Sequence, residues 1–314
     1  MLKVGLVGVG GISGAHIPAW DDMEDAQLVA LCDVQKEHLE PYPDKRHYLD
    51  FDEMLEKEEL DIVDICLPTY LHADFAVKAM EHGIHVICEK PISLKREDVN
   101  RIYDTAHRMH VNFMVAQVLR FWPEYVLIKE LYDTKKYGYL LSGYMGRLGS
   151  APDWSCNNWM RDENKSGLVP FDLHIHDLDF IIYAFGKPEN VKSNRVKRPE
   201  QDCVNVVYEF PDFYIETEAS WYAAAFPFMA RYRFQFEKAV VLFENGKCTV
   251  YEDNGNVTDL TALTEGDTGS INLPKSDAYA EEISYFTDCV RNGVFPDKVR
   301  PEELTAVIDI LKKF

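Results

Sequence analysis

Three side chains of this sequence, Lys90, Asp172 and His176, are of the types that move a proton at a hydroxyl group. Oxidising an alcohol takes a base for the O–H proton, positive charge beside the developing alkoxide, and an acceptor for the hydride. Imidazole titrates near neutrality and can be the base. An ammonium can hold the oxygen, and a carboxylate can orient either partner. Lys90 follows the apolar run IHVIC (84–88) and Glu89, and it precedes Pro91. Ligands of an open parallel sheet collect beyond the carboxyl ends of its strands, so this lysine is expected to face a bound cofactor. Pro91 biases residue 90 away from helical angles and permits a cis bond. The competing reading is a surface lysine in a strand–helix turn.

The other two lie in PFDLHIHDLDF (170–180). A helix starting near Pro170 places Asp172 and His176 at i and i+4 on one face, with Asp179 a turn further. His174 falls about 200° around the helix from Asp172. The HIH triplet therefore splays its imidazoles apart, and no metal site is expected despite the flanking aspartates. Simpler roles exist for both residues. His176 can be a core histidine satisfied by Asp172, and Asp172 can answer the helix dipole.

The hydride acceptor is suggested by residues 2–33. The apolar run LKVGLVGV leads into Gly8, Gly10 and Gly11, a helical stretch starts at Ile12 and Ser13, and QLVALC ends at Asp33. This is the order of a dinucleotide site. Gly8 permits the tight turn, Gly10 lets the backbone approach a pyrophosphate, and the N–H groups of the next helix face that anion. Ser13 stands in the third small position. Asp33 is placed to accept hydrogen bonds from the adenosine ribose, and its charge opposes a 2′-phosphate. NAD is therefore the expected cofactor, with NADP disfavoured. A glycine turn between any buried strand and helix is the plainer alternative.

The elements that position these residues follow two patterns. Through residue 119, short apolar strands (2–9, 27–32, near 46–49, 61–68, 84–88, 112–119) alternate with helix-like stretches, as in a doubly wound parallel sheet. From Trp122 a helix near 123–135 leads into segments of alternating apolar and polar residues, as in an antiparallel sheet with one covered face. The expected fold is α/β: a Rossmann domain over 1–120, then an α/β domain over 121–314 with a large, open, mostly antiparallel sheet. Helices near 276–292 and 301–313 close the chain, the last expected to return to the first domain. The aromatic sheet face reads as core or as the interface of a homodimer or homotetramer.

The chain has 314 residues and a formal net charge of −20, which disfavours nucleic acid and anionic membranes as partners. No apolar run approaches a membrane span. The first strand starts at residue 2, so a cleaved signal peptide is not expected and the expected location is cytoplasmic. The seven cysteines are odd in number and lack a C-x-x-C spacing. They read as reduced thiols, with Cys32, Cys66 and Cys88 buried at strand ends.

Several of these features together resemble the glucose–fructose oxidoreductase / inositol dehydrogenase / MocA family. They are the glycine loop with Asp33, Pro68-x-x-x-His72, Glu89-Lys90-Pro91, and Asp172-x-x-x-His176-x-x-Asp179. The resemblance spans essentially the whole chain. It implies catalytic roles for Lys90, Asp172 and His176 at a hydroxyl of a sugar, polyol or inositol-like substrate, and a cofactor side lined by Pro68, His72, Glu89 and Lys90. It also implies an oligomer built through the second domain. Two departures stand out. The approach to the Asp–His helix has only Gly167, and His174 replaces a common glycine, which would put an extra donor at the pocket edge. Arg120, Trp122, Asn158, Trp159 and Arg161 are substrate candidates, with hinge or surface packing as the competing role. The expected activity is an NAD-dependent dehydrogenase, and its rival is a non-catalytic NAD(P)-binding regulator on the same fold.

Overall fold

The computed structural model describes residues 1–261 and 277–314. The chain divides into two compact units, one of Met1–Val118 with Asp277–Leu304 and one of 119–261 with Thr305–Phe314. This corrects a single cut near residue 120. The segment Asp277–Leu304 belongs with the first unit, because helix α9 (Ala278–Asn292) packs on α1 (Ser13–Asp21). The final helix, α10 (Pro301–Leu311), begins in the first unit and ends in the second.

The first unit holds six parallel strands: β1 (Leu2–Val7), β2 (Ala26–Cys32), β3 (Arg46–Tyr48), β4 (Ile62–Ile65), β5 (His85–Glu89) and β6 (Phe113–Ala116). Their order is β3-β2-β1-β4-β5-β6. Every residue of β4 and β6 is buried, as expected where helices cover both faces of a parallel sheet. The crossovers include α2 (Lys36–Leu39), α3 (Phe51–Lys57), α4 (His72–Glu81) and α5 (Arg96–Met109). Strand order reverses between β1 and β4, which is the topological switch point where such sheets bind ligands.

The second unit is built on eight strands: β7 (Leu140–Ser150), β8 (Asn190–Arg198), β9 (Gln201–Glu209), β10 (Tyr214–Tyr222), β11 (Met229–Phe236), β12 (Ala239–Glu244), β13 (Lys247–Glu252) and β14 (Val257–Asp259). The order is β14-β13-β12-β11-β7-β10-β9-β8, with only β7 and β10 parallel. Asn245 and Gly246, both at positive φ, make the two-residue turn between β12 and β13. β14 carried no periodic signal, since its three residues are all exposed. Helices α6 (Pro123–Thr134) and α8 (Ile175–Phe185) pack on each other, and α8 reaches β7. A short helix, α7 (Glu163–Ser166), lies between β7 and α8.

Candidate functional site

The glycine loop leaves the carboxyl end of β1 at the switch point. Gly8 has φ +94°, and a Cβ there would lie 2.6 Å from the Cys66 carbonyl oxygen, so both backbone angle and space demand glycine. Gly10 differs: a Cβ would meet nothing within 4 Å. That open space is where an anion can approach the backbone. Helix α1 has no side-chain N-cap; the Gly14 and Ala15 N–H groups turn back to the Gly11 and Ile12 carbonyls at 3.2 and 2.9 Å, and the positive end of the helix dipole faces the loop. Ser13 is buried and its Oγ donates to the Gly10 carbonyl at 2.7 Å, tying the helix to the loop. Asp33 accepts from the backbone N–H groups of Val9 and Gln35, each at 2.8 Å. It therefore shapes the loop as well as presenting a carboxylate. The loop, the uncapped helix and Asp33 together fit a dinucleotide.

Lys90 lies at the end of β5, next to a cis peptide bond to Pro91. Its backbone N–H donates to its neighbour's carboxylate, Glu89 Oε2, at 3.0 Å. His72 ties two loops of this unit together. Its Nδ1 is 2.7 Å from the Pro91 carbonyl and its Nε2 is 2.6 Å from that of Leu67. Burial pushes its pKa below the ordinary imidazole value, while the two carbonyls favour the protonated ring.

In the second unit, residues Pro170–His174 form a π turn that runs into α8. A π turn accommodates an extra residue and recurs at functional sites. It keeps Asp172 and His176 on one half-exposed face. Leu173 is half-exposed with them, and the other residues from Phe171 to Phe180 are buried. His174 is fully buried, with Nε2 2.7 Å from the Tyr208 hydroxyl and its ring stacked on that tyrosine. Asp177 accepts from Arg147 at 2.9 Å. Asp179 receives a forked pair from Arg120, Nε at 2.8 Å and a terminal nitrogen at 2.6 Å. The H-x-H triplet is thus split between core and surface.

Residues 2–117 match the model of an oxidoreductase family with an NAD-binding Rossmann fold, and residues 125–247 match the GFO/IDH/MocA C-terminal domain. The chain belongs to the Gfo/Idh/MocA oxidoreductase family. It is 31% identical over 182 residues to a 2,7-anhydro-N-acetylneuraminate hydratase of Mediterraneibacter gnavus, covering 57% of this chain but only 45% of that protein. It is 25% identical to a myo-inositol 2-dehydrogenase of Thermotoga maritima, over 94% of this chain and 90% of the relative. Among solved structures, a levoglucosan dehydrogenase in complex with NADH and levoglucosan superposes with a TM-score of 0.84 at 18% identity, covering 99% of this chain and 95% of the other. At that identity the superposition speaks for the fold.

Against the Gfo/Idh/MocA pattern, the other sequence candidates fall in several kinds of place. Glu89 is buried and its carboxylate is engaged within the first unit rather than extended from it. Pro68 opens the 3-10 turn Thr69–Leu71. The expected extra donor at His174 is corrected: the ring is enclosed by Tyr208 and Phe314 in the core of the second unit. Arg120 has a fully buried guanidinium that also lies over the Tyr183 ring, a setting that clamps α8. Trp122 is buried, Trp159 half-buried, and Asn158 exposed with φ 53°. Arg161 bonds the Pro152 carbonyl and Glu200.

Sequence reasoning missed a buried polar cluster below the glycine loop, formed by His16, Asp64 and Glu89. Its signal was present. Asp64 is a lone charge inside the apolar strand IVDI, and His16 sits three residues after Ser13 on the same helix. The cysteines expected at strand ends are indeed buried thiols, and burial pushes Cys32 and Cys66 up to about 12.

Proposed function

We propose that the protein is an NAD-dependent dehydrogenase acting on a secondary hydroxyl of a sugar, polyol or inositol-like substrate. The observation that carries this reading is the sorting of the polar helix. Asp172 and His176 share the accessible face, while His174, Asp177 and Asp179 are buried. A carboxylate and an imidazole on one half-exposed face can reach a bound molecule, and the family joins such a helix to an NAD-binding domain. The nicotinamide, when bound, supplies the hydride acceptor at C4. His176 takes the hydroxyl proton as the carbinol C–H electron pair leaves and the C–O bond becomes a carbonyl. Lys90 donates to the oxygen as its charge grows, and Asp172 orients the imidazole. A screen of polyols and sugars with NAD is expected to yield NADH absorbance with at least one of them. Tight NAD binding with no turnover across a broad panel would instead favour a regulator.

Asp33 underlies the preference for NAD. A 2′-phosphate brought beside it would meet a carboxylate already shaping the loop through Val9 and Gln35. Asp33→Ser removes that repulsion. It is expected to narrow the ratio of NADP to NAD dissociation constants by roughly tenfold or more, read by calorimetry. An unchanged ratio would remove Asp33 from the specificity argument.

A further inference from the structure

The buried cluster of the first unit joins three ionisable groups in line. Asp64 Oδ2 accepts from His16 Nδ1 at 2.8 Å and from the Trp20 indole N–H at 2.7 Å. On the other side of the ring, His16 Nε2 lies 3.0 Å from Glu89 Oε1. Glu89 Oε2 then accepts the backbone N–H of Lys90 at 3.0 Å. His16 and Asp64 are fully buried, and Glu89 nearly so. The Tyr279 ring of α9 closes one side, at 5.6 Å between ring centroids, and the Cys66 thiol points at Asp64 Oδ1 at 3.6 Å.

The protonation of this chain of groups follows from counting donors. Ionised carboxylates only accept, so a ring bonded to one at each nitrogen carries a proton on both. Burial is the largest single influence and opposes that charge, but Asp64 and Cys66 together outweigh it, and the pKa of His16 is raised well above the ordinary value. The ligand atoms of His16, Asp64 and Cys66 do lie within 4.8 Å of one another. A doubly protonated imidazole has no lone pair for a metal, so the geometry is that of an ion-pair relay.

We propose that the Asp64–His16–Glu89 relay is a positioning device that fixes the strand end carrying Lys90. His16 Nε2 holds the Glu89 oxygen that does not bond Lys90, so both oxygens of this carboxylate are engaged. The relay is anchored on α1 and β4, the elements that also carry the glycine loop and the switch point. Lys90 is thus set relative to the dinucleotide cradle rather than left to its own loop. These residues act through Lys90 and do not touch the reacting atoms. The inference rests on the catalytic reading of Lys90 given above.

The test uses the full-length protein with NAD and the polyol that gives most turnover. Glu89→Ala removes both ends of the clamp and is expected to lower kcat about a hundredfold, with the NAD dissociation constant and KM within about threefold. Glu89→Gln is the rescue. Its carbonyl still accepts from Lys90, and its amide donates to a His16 ring that has become neutral, so the line of hydrogen bonds re-forms. It is expected to recover at least a tenfold part of the loss. Nitrogen-15 NMR of the native protein is expected to show both His16 nitrogens protonated at neutral pH and a Lys90 amide protected from exchange, with that protection lost in Glu89→Ala alone. A singly protonated His16 in the native protein, native kcat and amide exchange in Glu89→Ala, or a Glu89→Gln enzyme as impaired as Glu89→Ala would each overturn the proposal. Failure of the catalytic reading looks different: Lys90→Ala would keep its turnover while the NMR results stood.

Discussion

Lys90→Ala is expected to lower kcat by roughly a thousandfold while NAD still binds. An ammonium beside an alkoxide acts on charge that exists only near the transition state, so its loss falls on kcat more than on KM. Binding should survive because the cradle is assembled elsewhere. Gly8 and Gly10 follow β1, Asp33 follows β2, and the hydrogen bonds that shape them run through Val9, Gln35 and Ser13. The two quantities are measured separately, turnover by NADH formation and affinity by calorimetry. If the variant lost NAD affinity in step with activity, Lys90 would be a cofactor ligand and the hydroxyl chemistry would need another cation.

The second large effect concerns stability in acid. Burial, reinforced by the Arg147 guanidinium, pushes the pKa of His174 down to about 3. Its folded-state pKa is therefore below the unfolded value near 6.5. Above pH 6.5 both states are neutral and the group contributes no pH dependence. As pH falls below 6.5 the unfolded chain binds a proton that the folded chain refuses, so stability is lost progressively towards pH 3. At pH 4 this one residue should cost the wild type about 3 kcal/mol relative to neutral pH. His174→Gln can still bond the Tyr208 hydroxyl but does not titrate. It is expected to be less stable than wild type by about 1 kcal/mol at pH 7.5 and more stable at pH 4. Thermal melts across that range should show the two curves crossing. Parallel curves would mean that His174 is protonated in the folded protein.

That same residue shows where sequence reading reached and where it stopped. The spacing of Asp172, His174 and His176 was enough to say that the two histidines face apart. It did not say which one faces solvent. The assignment of His174 to a pocket edge failed because a helix face has no label until a sheet packs on it, and here Tyr208 of β9 covers His174. Arg120 is a similar case. As a charged residue leaving the last Rossmann strand it invites a ligand, yet Asp179 and Tyr183 enclose it, a pairing across 59 positions that no local pattern encodes.

The sequence by itself determined the six-strand alternation, the glycine loop with Asp33, and the Glu-Lys-Pro and Asp–His motifs. All of these are written in contiguous residues, because strand periodicity, backbone freedom at glycine and helix spacing are local physics. Tertiary structure alone decided the return of α9 to the first unit, the choice of Asp172 and His176 over their neighbours as the accessible pair, and the Asp64–His16–Glu89 relay. Each of these depends on contacts between residues far apart in the chain. Asp64 and Glu89 lie 48 and 73 positions from the His16 ring they share, and it is the packing of α1 against the adjacent strands β4 and β5 that brings them together.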